Sequence, residues 1–366
     1  MRPLLVLVLG ALFAATAHAG PVGERHLVAT NPTAALRDAE HRSQVRVTVW
    51  YPAAPGAVEK SIDLGPPGKP LMLVGSVAAD APFADSRPRP VILFSHGFGG
   101  SARGMGWFGL PLARAGYMVV AVDHPGNNGG DKMTAAAAIM PWDRPGDLAA
   151  ALAAAKADPT IGPHMDLARL GVSGFSAGGF TALVSAGARV DMNRFVAFCR
   201  AHPTDGVCAP QKEFALTQDE ARKTIAASPE LTAEAARAGE DHSIPGVKAA
   251  FAIAPAIVQG LPPKGLARIR IPVAIILGDA DPVAPPPTNG LAAAKAIPHA
   301  ELKVLPGVGH YDFIATCTPA GVAAIPVCAD KVPQEPTHRA AVDMALAFFA
   351  RTLGAPPRLA SEGPLH

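Results

Sequence analysis

The stretch that decides the fold is Gly174-Phe175-Ser176-Ala177-Gly178-Gly179, which contains the pattern G-x-S-x-G. It follows an apolar run at residues 170–172 that suits a buried strand, and it precedes residues 177–188, which suit a helix. A turn that passes this tightly from strand to helix pushes the serine hydroxyl clear of the backbone and leaves no room for Cβ atoms on either side. Gly174 and Gly178 supply that room. The sequence therefore predicts a nucleophile at Ser176.

Short apolar runs alternate with helical stretches on both sides of this motif. Short runs that are mostly apolar, as in parallel strands covered on both faces, lie at residues 91–94, 118–122, 248–253 and 273–277. Residues 45–50 alternate instead, like a half-buried strand. Helical patterns lie at about residues 104–115, 147–157, 177–188, 288–296 and 337–353. This alternation predicts an α/β fold, with a mostly parallel, doubly wound sheet and helices on both faces.

A base and an acid follow the serine in the chain, and a serine hydroxyl needs both to act as a nucleophile. Asp281 lies in the turn after residues 273–277, and Asp279 in the same turn is the alternative acid, although either could merely cap the turn. His310 ends the turn Gly-Val-Gly-His after the last predicted strand, residues 301–305. The order Ser176, Asp281, His310 predicts a triad that assembles through the fold. His96 and His124 precede the serine and suit a structural role.

An oxyanion hole is predicted where residues 91–94 run into Ser95-His96-Gly97-Phe98-Gly99-Gly100. The backbone N–H groups of Phe98 and Ala177 are the candidate donors to the oxygen of a tetrahedral intermediate. A phosphate-cradling loop is the alternative for this glycine-rich segment. It is disfavoured because no Lys-Ser/Thr pair follows and the dinucleotide spacing G-x-G-x-x-G is absent from the segment.

Taken together, the motifs resemble the α/β-hydrolase superfamily over residues 45–353. The resemblance rests on residues 96–100, 112–117, 123–126, 174–179, 278–281 and 309–313. Within that superfamily the chain looks like the dienelactone-hydrolase-like group, which also resembles platelet-activating-factor acetylhydrolases and polyester-degrading esterases. The resemblance implies a serine esterase that acts on small-molecule esters without a cofactor or metal. Ser176 stands where true dienelactone hydrolases carry cysteine, so dienelactone itself is a poor candidate substrate.

Three other functions remain open on the same residues. A serine peptidase or an acyltransferase would share the triad and differ only in leaving group or acceptor. A non-catalytic binding module on this fold would normally have lost a triad member.

The chain has few aromatic residues, at 5%, which disfavours a wide aromatic platform and favours a modest apolar pocket for short- to medium-chain esters.

Residues 189–245 interrupt the alternation with a polar, acidic, helix-favouring stretch that contains the first two cysteines. An insertion between two core strands usually lies above the strand ends, where open α/β sheets bind ligands. We expect a lid or cap, and the alternative is a helical decoration that never contacts substrate.

Four cysteines allow three pairings. Cys199 with Cys208 and Cys317 with Cys328 are the local pairs, which cost the least loop closure. Free or crossed thiols are the alternatives. A zinc site is less favoured, because the sequence has no Cys-x-x-Cys pair and no His-Glu-x-x-His helix.

The N-terminal residues have the pattern of a targeting segment. Arg2, the apolar residues 4–15 and Ala17-His18-Ala19 predict a secretory signal, residues 1–19, with residues 20–366 as the mature domain of a periplasmic or secreted protein. A retained membrane anchor is the alternative, although the run is shorter than the roughly 20 residues of a spanning helix.

The 32 Lys+Arg residues nearly balance the 30 Asp+Glu residues, so the net charge of +2 disfavours a nucleic-acid partner. The sequence leaves the oligomeric state open.

Overall fold

In the computed structural model, which describes residues 20–328 and 333–357, strands and helices alternate along most of the chain. The predicted signal, residues 1–19, lies outside the described residues. The strands are β1 (Val22–Thr30), β2 (Gln44–Pro52), β3 (Lys60–Ser61), β4 (Met72–Leu73), β5 (Ser76–Ala79), β6 (Arg89–Ser95), β7 (Met118–Asp123), β8 (Met165–Phe175), β9 (Val247–Ile253), β10 (Val273–Gly278), β11 (Glu301–Leu305) and β12 (Thr316–Cys317). The helices are α1 (Ala34–Arg37), α2 (Gly106–Arg114), α3 (Ala135–Ile139), α4 (Arg144–Ala157), α5 (Ala177–Ser185), α6 (Met192–Ala201), α7 (Gln218–Ala226), α8 (Pro229–Ala236), α9 (Pro263–Leu266), α10 (Gly290–Ala296), α11 (Pro319–Ala324) and α12 (Gln334–Leu353).

One large sheet carries the fold. Within the described residues it has ten strands, in the order β11-β10-β9-β8-β6-β7-β2-β1-β5-β3. The six strands from β11 to β7 are parallel, and β2 and β1 then pair antiparallel at the other side. The carboxyl ends of the parallel strands therefore meet at one edge, which is where the loops after β6, β8, β10 and β11 lie.

Helices cover both faces of this sheet, as the apolar runs predict. Alternate residues of β6 point to opposite sides, so Leu93 joins the core that contains Leu148 of α4, whereas Ile92 joins the core that contains Phe348 of α12. Strands buried on both faces need apolar residues at every position, and this explains the continuous apolar runs.

Two local predictions differ from the structure. The second half of β2 is buried on both faces rather than half-buried, because α2 and α4 pack on its two sides. Helix α5 ends at Ser185 rather than Ala188, since Gly187 adopts a φ of +109° and closes the helix. The Ala188 N–H donates to the Leu183 carbonyl (3.1 Å) and the Gly187 N–H to the Val184 carbonyl (2.9 Å), the pattern of a glycine C-cap.

Strand β1 has no counterpart among the predicted strands. Its sequence carries Glu24, Arg25 and His26, which hide the apolar alternation. Glu24 is nevertheless buried, because it accepts hydrogen bonds from the Trp50 indole (2.8 Å) and from Arg103 (3.1 Å).

Among the described residues, no helix combines the length and apolar character that crossing a bilayer requires.

Candidate active site

The turn between β8 and α5 is strained in the way that the G-x-S-x-G motif predicts. Ser176 adopts φ +57° and ψ −117°, in a region that L-residues rarely occupy. A Cβ on Gly174 would collide with the backbone of Gly178, and a Cβ on Gly178 would collide with the Ser95 carbonyl. The two glycines are therefore required for the close approach of β8, α5 and β6 that holds Ser176 at the sheet edge.

Ser176, His310 and Asp281 form one continuous chain of hydrogen bonds. The Ser176 Oγ–H donates to His310 Nε2 (2.8 Å), and His310 Nδ1–H donates to Asp281 Oδ2 (2.6 Å). All three side chains are buried, with at most 6% of each residue exposed. A carboxylate can only accept, so Asp281 fixes the tautomer that leaves Nε2 free to take the serine proton.

Backbone groups fix the carboxylate of Asp281 on its other side. Its Oδ1 accepts the N–H groups of Val283 (2.9 Å) and Ala284 (2.7 Å), so the orientation of the whole group is determined. Asp279 does not reach the histidine. Its Oδ1 accepts the Gly307 N–H (2.7 Å) and so joins the two loops that carry the acid and the base.

The loop after β11 positions His310 at the start of a short 3-10 turn, His310–Phe313. The Gly309 N–H donates to Asp312 Oδ2 (2.7 Å), which closes this turn. The imidazole ring packs against Phe175, with ring centroids 5.0 Å apart. The residue before the serine thus also supports the histidine.

The glycine-rich loop after β6 runs directly against the serine turn. A Cβ on Gly97 would lie 3.4 Å from the Ser176 Cβ, so the backbones of the two segments approach closely. Gly99 adopts φ +63°, and its N–H donates to Asn127 Oδ1 (3.1 Å). Ala177 opens helix α5, so its N–H has no acceptor within the helix. Phe98 lies in this loop and Ala177 directly follows Ser176, so their N–H groups stay the candidate pair of backbone donors.

A buried polar network behind this loop was not predicted from the sequence. Its centre is Asp147 of α4, whose carboxylate accepts two hydrogen bonds from Arg37 (2.8 and 2.7 Å), one from Asn31 (2.7 Å) and one from His124 Nδ1 (2.8 Å). Burial alone would raise the pKa of Asp147, but the charge and hydrogen bonds of Arg37 outweigh it, and the pKa lies well below the ordinary value. Burial lowers the pKa of His124 to about 3, so this histidine is neutral.

The same network holds the predicted oxyanion loop. Arg144 donates to the carbonyls of His96 (2.8 Å) and Gly97 (3.4 Å). The backbone N–H of His124 donates to His96 Nε2 (3.1 Å). His96 therefore carries its proton on Nδ1, which donates to the Gly97 carbonyl (2.6 Å). Burial, with the charge of Arg144 among the smaller causes, keeps the pKa of His96 well below the ordinary value. His96 in this loop and His124 directly after β7 therefore support the structure of the loop.

Two cavities meet at Ser176. The first, about 790 Å³, is lined by His310, Phe175 and Tyr311 together with the glycine-rich loop, and we call it the His310 chamber. The second, about 710 Å³, is lined by Ala177 and Trp142 and by residues of α6 and α7, and we call it the insert chamber. Ser176 and Phe98 line both. Each volume suits a small-molecule group rather than a polymer chain.

Residues 189–245 fold into α6, α7 and α8, and residues of α6 and α7 line the insert chamber together with Ser176. Cys199 and Cys208 form a disulfide with Cα atoms 5.2 Å apart, and Cys317 and Cys328 form another with Cα atoms 5.8 Å apart. These are the local pairs that the spacing favours. The first pair encloses Gly206, which lies so close to the Pro282 carbonyl that a Cβ would not fit. The disulfide loop therefore packs on the turn that carries Asp281.

Comparison with known proteins identifies the family. Residues 91–325 match the family model described as the alpha/beta hydrolase family. The chain belongs to this family. Among solved structures, the ferulic acid esterase from Streptomyces cinnamoneus superposes with a TM-score of 0.58 over 96% of each chain, at 20% sequence identity, which shows the fold. A comparison with curated proteins gave no match.

The predicted hydrolase fold is thus confirmed, whereas the roles of the individual site residues stay predictions. The supporting residues Arg37, Arg144 and Asp147 were missed. The one available signal was a charged pair, Arg144 and Asp147, in the first turn of an otherwise alanine-rich helix. Within residues 20–328 and 333–357, no three His, Cys, Asp or Glu side chains are grouped so that they could hold a metal ion.

Proposed function

We propose that the protein is a serine carboxylic-ester hydrolase that acts through an acyl-enzyme on small esters. The observation that carries this proposal is the hydrogen-bond chain from Ser176 Oγ through His310 to Asp281. A hydroxyl that donates to a neutral imidazole is the arrangement that activates a serine for attack on a carbonyl. The strained turn and the two glycines, Gly174 and Gly178, support the same function, because they hold the hydroxyl at the sheet edge.

The proposed reaction has two stages, acylation of Ser176 and hydrolysis of the acyl-enzyme. His310 Nε2 takes the Ser176 proton as Oγ attacks the ester carbonyl, and the carbonyl oxygen becomes an oxyanion held by the N–H groups of Phe98 and Ala177. His310 then protonates the alcohol oxygen, the carbon–oxygen bond breaks, and the acyl group stays on Ser176. Water then attacks the acyl carbon and gives a proton to the same Nε2. His310 returns this proton to Ser176 Oγ as the bond between Oγ and the acyl carbon breaks, which releases the acid and restores the serine. Asp281 holds the imidazole and stabilises its charged form throughout.

Kinetics of two serine variants test this function. Ser176→Ala should lower kcat for p-nitrophenyl butyrate by at least about 10⁴-fold. Ser173→Ala is the matched control, because it removes a buried hydroxyl from the same strand, β8, outside the site. Its kcat should stay close to that of the unchanged protein. Equal losses in both variants would contradict the role of Ser176. Matched amide substrates and added alcohol acceptors separate an esterase from a peptidase or an acyltransferase.

We also propose that residues 189–245 act as a cap and that the protein is exported. Contacts of α6 and α7 with the insert chamber support the cap, and the two disulfides support an oxidising compartment. Expression of the full chain with N-terminal sequencing tests export. Cleavage after Ala19 would give a mature protein that starts at Gly20, and recovery of an uncleaved chain would contradict it.

A further inference from the structure

The two chambers differ in which catalytic group they contain. Of the described residues, His310 lines the first chamber and not the second, whereas Ala177 lines the second and not the first. In the proposed reaction the leaving alcohol oxygen must receive a proton from His310 Nε2. The alcohol part of the ester must therefore lie in the His310 chamber. The acyl part then has only the insert chamber left.

The two arginines that line the His310 chamber are already paired. Arg46 contacts Asp123 (3.3 Å), which also lines the chamber, and Asp131 (2.7 Å). Arg103 contacts Glu24 (3.1 Å). The positive charges of both guanidinium groups are therefore balanced by carboxylates.

Besides Asp123, Glu213 is the carboxylate that lines this chamber. Its Oε2 is shielded from solvent and has no hydrogen-bond partner among the described residues, which is costly for a carboxylate oxygen. Its side chain packs on Gly99, where an added Cβ would lie 2.9 Å from the Glu213 Cβ, next to Phe98. The neighbouring Lys212 ammonium instead contacts the Pro326 carbonyl (3.4 Å) and lies over the Tyr311 ring.

The insert chamber has the opposite character. Its charged residues, Arg200, Asp219 and Arg222, are exposed, and Arg222 pairs with Asp219 (3.0 Å). The remaining lining is largely apolar and includes Ile139, Trp142, Phe195, Val196, Ile225 and Ile257. An apolar acyl chain fits this lining, whereas a cation would meet excess positive charge at Arg200.

We propose that the ester lies across Ser176 with an apolar acyl group in the insert chamber and its alcohol group in the His310 chamber, where Glu213 selects alcohols that carry a positive charge. This assignment rests on the proposed function. It names the substrate class as esters of an apolar acid with a cationic amino alcohol.

The test compares two esters that have the same shape and differ in charge, butyrylcholine and 3,3-dimethylbutyl butyrate. The unchanged protein should hydrolyse the choline ester with a kcat/KM about fivefold higher, as expected for one partly exposed ion pair. This preference should shrink as salt is added. Glu213→Gln should bring the ratio close to one. Glu230→Gln is the matched control, because Glu230 is an exposed carboxylate of the same insert that lines neither chamber, and it should keep the fivefold ratio.

A second variant tests the acyl side. Ile225→Trp adds bulk in the insert chamber and should lower the ratio of kcat/KM for choline hexanoate over choline acetate, while the choline to dimethylbutyl ratio stays unchanged. The reverse result, a changed alcohol ratio with an unchanged acyl ratio, would overturn the assignment of the chambers. A ratio near one in the unchanged protein, or no effect of Glu213→Gln, would overturn the role of Glu213. Failure of the proposed function looks different, because no ester would then depend on Ser176.

Discussion

Replacing Asp281 by asparagine changes one atom and should reverse the tautomer of His310. The Asp281 Oδ1 accepts two backbone N–H groups, from Val283 (2.9 Å) and Ala284 (2.7 Å), and only an oxygen can take that place. The amide nitrogen of the variant must therefore occupy the Oδ2 position, 2.6 Å from His310 Nδ1. An amide N–H facing Nδ1 makes this atom the acceptor, and the ring proton moves to Nε2.

With its proton on Nε2, His310 donates to Ser176 Oγ and can no longer take the serine proton. The equivalent change in a serine protease triad lowers kcat about 10⁴-fold while the geometry stays intact. We expect a loss of about 10³- to 10⁴-fold in kcat for p-nitrophenyl butyrate, with KM nearly unchanged. Thermal unfolding should shift little, because the two backbone hydrogen bonds remain.

Asp279→Asn is the matched control in the same turn. Its oxygen can still accept the Gly307 N–H, so activity should stay within about twofold of the unchanged protein. The reasoning is refuted if Asp281→Asn keeps more than about a tenth of the activity, or if the two variants lose activity equally.

Three further predictions concern stability and selectivity. Burial, with Glu234 adding to it, raises the pKa of Asp143 to about 7. Between about pH 4 and 7 this carboxyl is therefore protonated in the folded protein and ionised in the unfolded chain. Its contribution to the free energy of unfolding is lost as pH rises through this range. The stability gain of Asp143→Asn, measured by urea unfolding, should therefore grow by up to about 4 kcal/mol from pH 4 to 8; a constant difference would contradict this. Gly178→Ala should destabilise the fold by about 1–3 kcal/mol in the same assay, because its Cβ meets a carbonyl of β6; unchanged stability would refute the tight turn. The unchanged protein should prefer p-nitrophenyl butyrate to palmitate, and Cys199→Ser with Cys208→Ser should weaken this preference by loosening the cap; a preference for palmitate would indicate a lipase-like site.

The parallel core of the fold was predictable because β6, β7, β9 and β10 are buried on both faces along most of their length and are therefore mostly apolar. Strand β1 was not, since its charged residues are satisfied by partners that are distant in the chain, such as Trp50 and Arg103 for Glu24. Local patterns carry no information about such partners. The β1 side of the sheet was therefore harder to predict than its parallel centre.

The same distinction holds at the site. Motif context and chain order were enough to select Ser176, Asp281 and His310, which the fold brings within hydrogen-bond distance. The choice of Asp281 over Asp279 depends on which carboxylate the turn directs to the histidine. The sequence favoured Asp281 but left Asp279 as an alternative. The support of the oxyanion loop by Arg144 and Asp147 depends on burial in three dimensions and was missed.

Labelling with a fluorophosphonate tests the central claim most directly, because the probe reacts only with a serine that a neighbouring base activates. Incubation of the folded protein, followed by intact-mass measurement and peptide mapping, should give one adduct per chain, on the peptide that contains Ser176. His310→Ala should slow labelling, and Ser176→Ala should abolish it. An adduct on another serine, or no adduct on folded protein, would contradict the account.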